Sequence, residues 1–371
     1  MRIAIDASRT TLAARTGTEN YALQLIGALL ALHSTHTFTL YFRDQPPSSL
    51  FSAYANVHHQ VIPLARLWTH VRFAAALWAD RPDVTFVPAH TLPLLFPGPA
   101  VATVHDLGFR FFPNAHPGFE RRYLDFTTRY SAQRATRILA DSLATRNDLI
   151  AQYHVAADKI DVVYPGVEGL QRAKESEIDR FRQQYRLPIP YFLFLGTLQP
   201  RKNIGRLIAA FARYCERHPQ SSEALVLAGK RGWLIESVLD SALAGLTDAQ
   251  RARVVFTGYV NDRDVAALYS GALALVLPSL YEGFGFPVLE AMQCGTPVVC
   301  SDSSSLPELA GDAAVLVDAL QIESIADGML RIADSAELRG TLVSKGYEQV
   351  RRFTWSTAAA ATLRALENAA G

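Results

Sequence analysis

Short apolar runs set between longer amphipathic stretches recur in two successive series, and this pattern restricts the fold more than any other feature of the chain. The first series falls at residues 2–7, 37–42, 84–87, 100–105, 137–140 and 160–163. After a break at Tyr185-Arg-Leu-Pro-Ile-Pro190, the second falls at 191–196, 224–228, 254–257, 274–276, 297–300 and 314–316. Runs that are apolar throughout belong to strands buried on both faces, and helical stretches between them make the sheets parallel. A chain of 371 residues also exceeds what one core usually serves. The expected class is α/β, with two doubly wound, Rossmann-like domains facing a cleft. Ligand-binding residues should gather at the carboxyl ends of the strands.

Bulk properties narrow the function classes. A net charge of +1 provides no electrostatic footprint for nucleic acid. Cys215, Cys294 and Cys300 adjoin no histidine at metal-ligand spacing, which fits a reducing compartment. The opening Met-Arg-Ile-Ala-Ile-Asp reads as a strand, because Asp6 interrupts any signal-peptide core. No apolar run reaches the roughly 18 residues needed to span a bilayer. The expected location is cytoplasmic, with peripheral attachment at the inner face of the cell membrane left open.

The densest chemistry lies in residues 281–297, Tyr-Glu-Gly-Phe-Gly-Phe-Pro-Val-Leu-Glu-Ala-Met-Gln-Cys-Gly-Thr-Pro. Glu282 and Glu290 flank a glycine-rich turn, and Pro287 suits the first residue of a helix, where its missing N–H has no helical partner. Glu282 then lies in a loop and Glu290 about one turn inside the helix, near amides and a dipole end that favour anions. Carboxylates for hydroxyls beside amides for phosphates describe a nucleotide-sugar ligand. The competing reading is a structural loop–helix junction, since Glu near a helix start is favourable by itself. Upstream, Phe194-Leu-Gly-Thr-Leu-Gln-Pro-Arg-Lys-Asn203 sets Arg201 and Lys202 beyond Gly196 and Thr197. A cation pair there offers charge-assisted bonds to a diphosphate and stabilises a negative leaving group; the alternative is a solvated surface pair. Gly229-Lys230 closes the next apolar run and is a candidate for the same site.

The 281–297 string resembles the Glu-x7-Glu signature of the retaining glycosyltransferases of family 4 (glycosyl transferases group 1), which have the GT-B fold. Both glutamates, the Gly-Phe-Gly-Phe-Pro insert and Cys294-Gly295-Thr296-Pro297 carry the match. The resemblance implies that Glu290 holds ribose hydroxyls and Glu282 sugar hydroxyls, with Gly283, Phe284, Gly285, Phe286, Pro287, Val288 and Leu289 against the donor. It implies Arg201 and Lys202 on the pyrophosphate, and Tyr259 and Val260 beside the base after Gly258. It further implies an N-terminal domain over 1–168 that receives the acceptor and a nucleotide-sugar domain over 169–350. A hinge would lie at Pro165-Gly166-Val167-Glu168, and a terminal helix over 351–371 would return to the first domain. The subgroup strings Thr-Val-His-Asp-Leu and Pro-Arg-Lys-Asn favour GDP-mannose as donor and polysaccharide assembly as setting, with UDP-glucose next.

Within the N-terminal domain, Gly17 and Thr18 follow the first strand, at a turn where glycine lets backbone approach a ligand. The resemblance sets them facing donor and acceptor. Ala102-Thr-Val-His-Asp-Leu107 delivers His105 and Asp106 to a strand end. The resemblance assigns His105 to the transferred sugar or the developing charge. Asp106 is a general-base candidate or the cap of the next turn, and Ser142 reads as a helix cap. Asp262-Arg-Asp264 imitates a metal-binding Asp-x-Asp, but before an apolar helix it reads as a cap and first-turn acid, so no metal is expected.

Leu64, Leu67, Trp68, Val71, Ala75 and Trp78 fall on one helical stripe, suited to core packing or to lipid. The basic run Arg121, Arg122, Arg129, Arg134 and Arg137, near Phe109-Arg-Phe-Phe-Pro113, suits an anionic surface or a lipid-linked acceptor. The partners expected are thus a nucleotide-sugar donor, a glycan or lipid-linked glycan acceptor and a weak peripheral membrane contact. A sugar-nucleotide epimerase and an inert nucleotide-sugar-binding module remain as alternative readings.

Overall fold

The computed structural model describes residues 1–11, 17–113, 118–167, 169–188, 190–232 and 234–371. The proposed hinge residue Glu168 therefore lies outside the described residues. The chain divides into two compact units, Met1–Gly166 with Phe353–Gly371, and Val167–Arg352.

The first unit is built on seven parallel strands: β1 (Arg2–Asp6), β2 (Thr37–Phe42), β3 (Val57–Val61), β4 (Val84–Val87), β5 (Ala100–Val104), β6 (Arg137–Ala140) and β7 (Ile160–Val162). Their order is β3-β2-β1-β4-β5-β6-β7. Strands β4 and β5 are buried at every residue, as a sheet covered on both faces requires. The edge strand β3 was not legible in the sequence. Its Val-His-His-Gln-Val is half-exposed and lacks an apolar run, and pairing with β2 from Phe38↔Val57 to Phe42↔Val61 is what makes it a strand.

The terminal helix Trp355–Ala370 belongs to this unit. Thr354 caps it, its hydroxyl accepting the Thr357 amide at 3.1 Å. Its buried face of Ala358, Ala359, Thr362, Ala365 and Leu366 lets the backbone pack close to helix Gly17–Leu30. Trp355 meets Tyr21 of that helix edge-on at 5.9 Å.

The aromatic stripe does not survive as one surface. Thr69–Phe73 forms a π-helical turn before helix Ala74–Asp80, and its extra residue per turn shifts the phase of everything after it. Trp68 is buried, stacked on Phe73 at 5.2 Å with its Nε1 donating to Ile62 O, whereas Leu67, Val71 and Trp78 stay exposed. The basic run also splits. Arg137 lies on β6 in a bidentate pair with Asp161, at 2.6 and 2.7 Å. Helix Gly118–Arg134 instead exposes Phe119, Arg122, Tyr123, Phe126 and Arg129. Among the described residues no helix is long and apolar enough to cross a membrane.

The second unit carries six parallel strands: β8 (Tyr191–Leu195), β9 (Ala224–Ala228), β10 (Val254–Gly258), β11 (Ala274–Leu277), β12 (Val298–Ser301) and β13 (Val315–Val317). Their order is β10-β9-β8-β11-β12-β13. In both sheets the strand order reverses beside the first strand, between β1 and β4 and between β8 and β11. Parallel sheets open a crevice at such a switch point, outside the carboxyl ends of the strands.

Candidate functional site

In the second unit the strand ends beside that crevice are stripped of side chains. The Gly196 amide donates to Ala228 O and the Gly229 amide to Gly258 O, at 2.9 and 2.8 Å. A Cβ on Gly229, whose φ is +133°, would stand 2.1 Å from Gly196 O, so only glycine fits. Past Gly196 the chain turns through a 3₁₀ segment, Pro200–Lys202, before helix Ile204–Arg217. Buried Asn203 fixes this turn, its Nδ2 donating to Pro278 O at 3.1 Å and to Ala319 O at 2.7 Å. The Leu280 amide bonds Arg201 O at 2.9 Å, which ties the turn to the loop after β11.

That loop brings Glu282 to the cations. Arg201 Nη1 lies 3.0 Å from Glu282 Oε2 and 3.0 Å from Tyr281 O, and Lys202 Nζ lies 2.5 Å from Oε1. Glu282 is buried; burial alone would raise its pKa, but the charges of Lys202 and Arg201 outweigh it and hold the carboxyl at about 2. The cluster of two cations and one anion leaves one positive charge. A serine run missed in the sequence pins the loop. Ser304 Oγ accepts the Glu282 amide at 3.1 Å, Ser305 Oγ donates to Glu282 O at 3.0 Å, and Ser305 also bonds Phe284 O.

Helix Phe286–Gln293 starts one residue before Pro287, with Gly285 as N-cap at φ +121°. Val288 and Leu289 are wholly buried, so their side chains are core rather than ligand contacts. Pro287 has no N–H, and the Val288 amide turns back to Gly285 O at 3.0 Å, so the first turn offers an anion fewer amides than the spacing implied. Glu290 accepts a hydrogen bond from Tyr269 at 2.8 Å, and burial raises its pKa. In the sequence nothing distinguishes Tyr269 from an ordinary core tyrosine.

Around the same strand ends, Lys230 Nζ stands 5.1 Å over the exposed ring of Tyr259, and Val260 is buried. Tyr259 OH donates to Asp262 Oδ1 at 3.2 Å. Asn261 is the N-cap of helix Asp262–Ser270, one position before the residue expected; Asp262 and Asp264 are its first-turn acids, and Asp264 is buried. Among the described residues no three His, Cys, Asp or Glu side chains group as a metal site.

The first unit holds a separate polar cluster. Strands β5 and β6 pair with Val104 opposite Ala140, so the residues that follow, His105 and Asp141, stand side by side. His105 Nδ1 lies 2.7 Å from Asp141 Oδ2. The His105 amide donates to His90 Nε2 at 2.9 Å, and Thr145 Oγ1 donates to His105 O at 3.1 Å. Burial of the His105 ring opposes its charge, but Asp141 and Asp106 outweigh that and raise its pKa. His90 is pushed down to about 3, by burial first and then by His105. Asp106 accepts the Gly108 amide at 2.7 Å and so caps the following turn, and Ser142 caps helix Leu143–Tyr153. The sequence does not mark Asp141, because only the register of β6 against β5 brings it beside His105.

Gly17 and Thr18 open helix Gly17–Leu30, and residues 12–16 before them lie outside the described residues. At the β1–β4 reversal a cavity of about 230 Å³ is lined by Asp6, Ser8, Arg9, Arg43, Thr69 and Thr91 among others. Arg9 is paired with Glu19 and Arg43 with Asp44, each at 3.0 Å, so the lining is polar but nearly neutral.

Comparison with known proteins settles the family. Residues 15–168 match Glycosyltransferase Family 4 and residues 175–349 match Glycosyl transferases group 1. The O-antigen chain mannosyltransferase B of Escherichia coli is 33% identical over 269 residues, 72% of this chain and 69% of that protein. The chain belongs to the family 4, group 1 glycosyltransferases. This glycosyltransferase is also 30% identical over 252 residues to the serotype-specific mannosyltransferase WbdA of Escherichia coli, a match covering 66% of this chain but 30% of that longer protein. Its fold is that of the GT-B enzymes. A solved structure of Anabaena Alr3699/HepE in complex with UDP-glucose aligns with a TM-score of 0.73, at 18% identity, over 99% of this chain and 100% of the other.

Proposed function

We propose that this glycosyltransferase moves a hexose from a nucleotide sugar to a glycan or lipid-linked glycan acceptor in polysaccharide assembly, retaining the α configuration. The observation that carries the reading is the convergence of Arg201 and Lys202 on one buried carboxylate beside the bare strand ends of Gly196 and Gly229. Two cations held in a partly desolvated turn are suited to a diphosphate. GDP-mannose is the favoured donor because the Escherichia coli relatives are mannosyltransferases. UDP-glucose is the second reading, favoured by the Anabaena complex.

In the step proposed, the bond between the anomeric carbon and the diphosphate oxygen breaks while an acceptor hydroxyl bonds to the same face of that carbon. The hydroxyl proton passes to the departing diphosphate. Arg201 and Lys202 neutralise the leaving group, which makes a metal ion unnecessary. Glu282 and Glu290 take sugar and ribose hydroxyls, and His105 contacts the transferred sugar. The cavity at Asp6 and Arg43 takes an acceptor sugar: its balanced charges suit hydroxyls better than a phosphate. Any membrane contact belongs to the exposed Phe119, Tyr123 and Phe126 with Arg122 and Arg129, and should fade with added salt.

Arg201→Ala or Lys202→Ala should lower turnover by on the order of 10²–10³, as for loss of one charge stabiliser, and EDTA should have little effect. Strict dependence on Mn²⁺ or Mg²⁺ would overturn the assignment and return Asp262 and Asp264 to consideration.

A further inference from the structure

We propose that Asp141 is a positioning residue for transfer: it grips the His105 ring through Nδ1 and leaves Nε2–H as the donor that the ring presents to substrate. The inference rests on the role proposed for His105 and extends it to a residue with no assigned part.

Three features of the geometry support it. First, the ring has one fixed end. Asp141 Oδ2 lies 2.7 Å from Nδ1, and the backbone of His105 is held on both sides, its amide by His90 Nε2 and its carbonyl by Thr145 Oγ1. Second, the other end is unclaimed. Among the described residues His105 Nε2 has no hydrogen-bond partner, although it is buried. Leaving a buried donor unsatisfied is destabilising, and a substrate oxygen would remove that cost. Third, the carboxylate has little else to do. Asp141 is 5% exposed, and its Oδ1 also has no hydrogen-bond partner among the described residues.

The charge state follows from the groups that face the ring. Asp141 from the end of β6 and the adjoining Asp106 favour the imidazolium; Arg9 beyond β1 and burial oppose it, and the carboxylates prevail. His90 accepts the His105 amide through Nε2 and is neutral, and Tyr21 packs its ring edge-on at 4.7 Å without a charge of its own. A raised pKa means the charged ring is present at low pH and lost as pH climbs through that value. Asp141→Asn keeps an acceptor for Nδ1–H but removes the charge, so the value should fall.

The test uses the full chain and whichever of GDP-mannose and UDP-glucose it turns over. In Asp141→Asn, kcat at pH 8 should drop at least about tenfold, with affinity for the nucleoside diphosphate unchanged, and the alkaline limb of the pH profile should move to lower pH. Asp141→Ala should lose turnover at every pH, because orientation goes with the charge. In a His105→Phe background, Asp141→Asn should cost nothing more. Equal loss by Asp141→Asn at all pH values, or multiplying losses in the double variant, would show a structural role only. Full activity of His105→Phe would sink the underlying reading of His105 instead. Titration of the wild-type imidazole by NMR, identified by its absence from His105→Phe, is independent of how the Asp141 variants fold. A midpoint above the ordinary 6.5 agrees with the proposal and one below it does not.

Discussion

With its carboxylate between Arg201 at 3.0 Å and Lys202 at 2.5 Å, Glu282 occupies the cations that a diphosphate needs. Donor binding must then share or displace this pair. Glu282→Gln should tighten binding of the free nucleoside diphosphate while slowing transfer, measured by calorimetric titration beside turnover; weaker binding would show that Glu282 arranges the cations rather than competing for them. The same change should also destabilise the fold, by roughly 3–5 kcal/mol where a buried charge loses its partner. The pH dependence has a definite sign. A carboxyl at about 2, below its ordinary 4.5, contributes stability that is fully present above 4.5 and lost as pH falls toward 2. Glu290 is the contrasting case, its pKa raised by burial despite the bond from Tyr269. The two glutamates were legible in the sequence because they flank a glycine turn. Their different surroundings were not, since Tyr269, Ser304 and Ser305 reach them from other elements, 21, 22 and 23 residues away in sequence.

Most strands could be read from the chain because parallel sheets leave continuous apolar runs. The exceptions have separate causes. Strand β3 is an edge whose side chains are half in water, and the π-helical turn at Thr69–Phe73 breaks a helical phase that no residue type announces. His105 and Asp141 are adjacent only through the register of β5 and β6. The close approach of β8 and β9 at their carboxyl ends gives a sharper test. Gly229→Ala puts a methyl group 2.1 Å from Gly196 O, at a φ that L residues avoid. It should lower the melting temperature and abolish nucleoside diphosphate binding together, because the displaced backbone carries both the sheet end and the turn to Arg201. Gly340→Ala, at a helical position with open space around its Cβ, is the neutral control.

The chain leaves its first unit at Gly166 and regains it at Phe353. Truncation after Arg352 should therefore strip helix Trp355–Ala370 from the first unit alone. In hydrogen exchange, amides of β4, β5 and β6 should lose protection while those of β8, β9 and β11 keep it; equal loss in both sheets would contradict this division. The stereochemistry of transfer can be measured on the product itself. The full chain is incubated in EDTA with GDP-α-mannose and an α-mannoside acceptor, and the anomeric proton of the first product is followed by NMR. Release of GDP and an α-linked mannoside are expected. A β-linked product, or a donor epimerised without loss of its nucleotide, would contradict it.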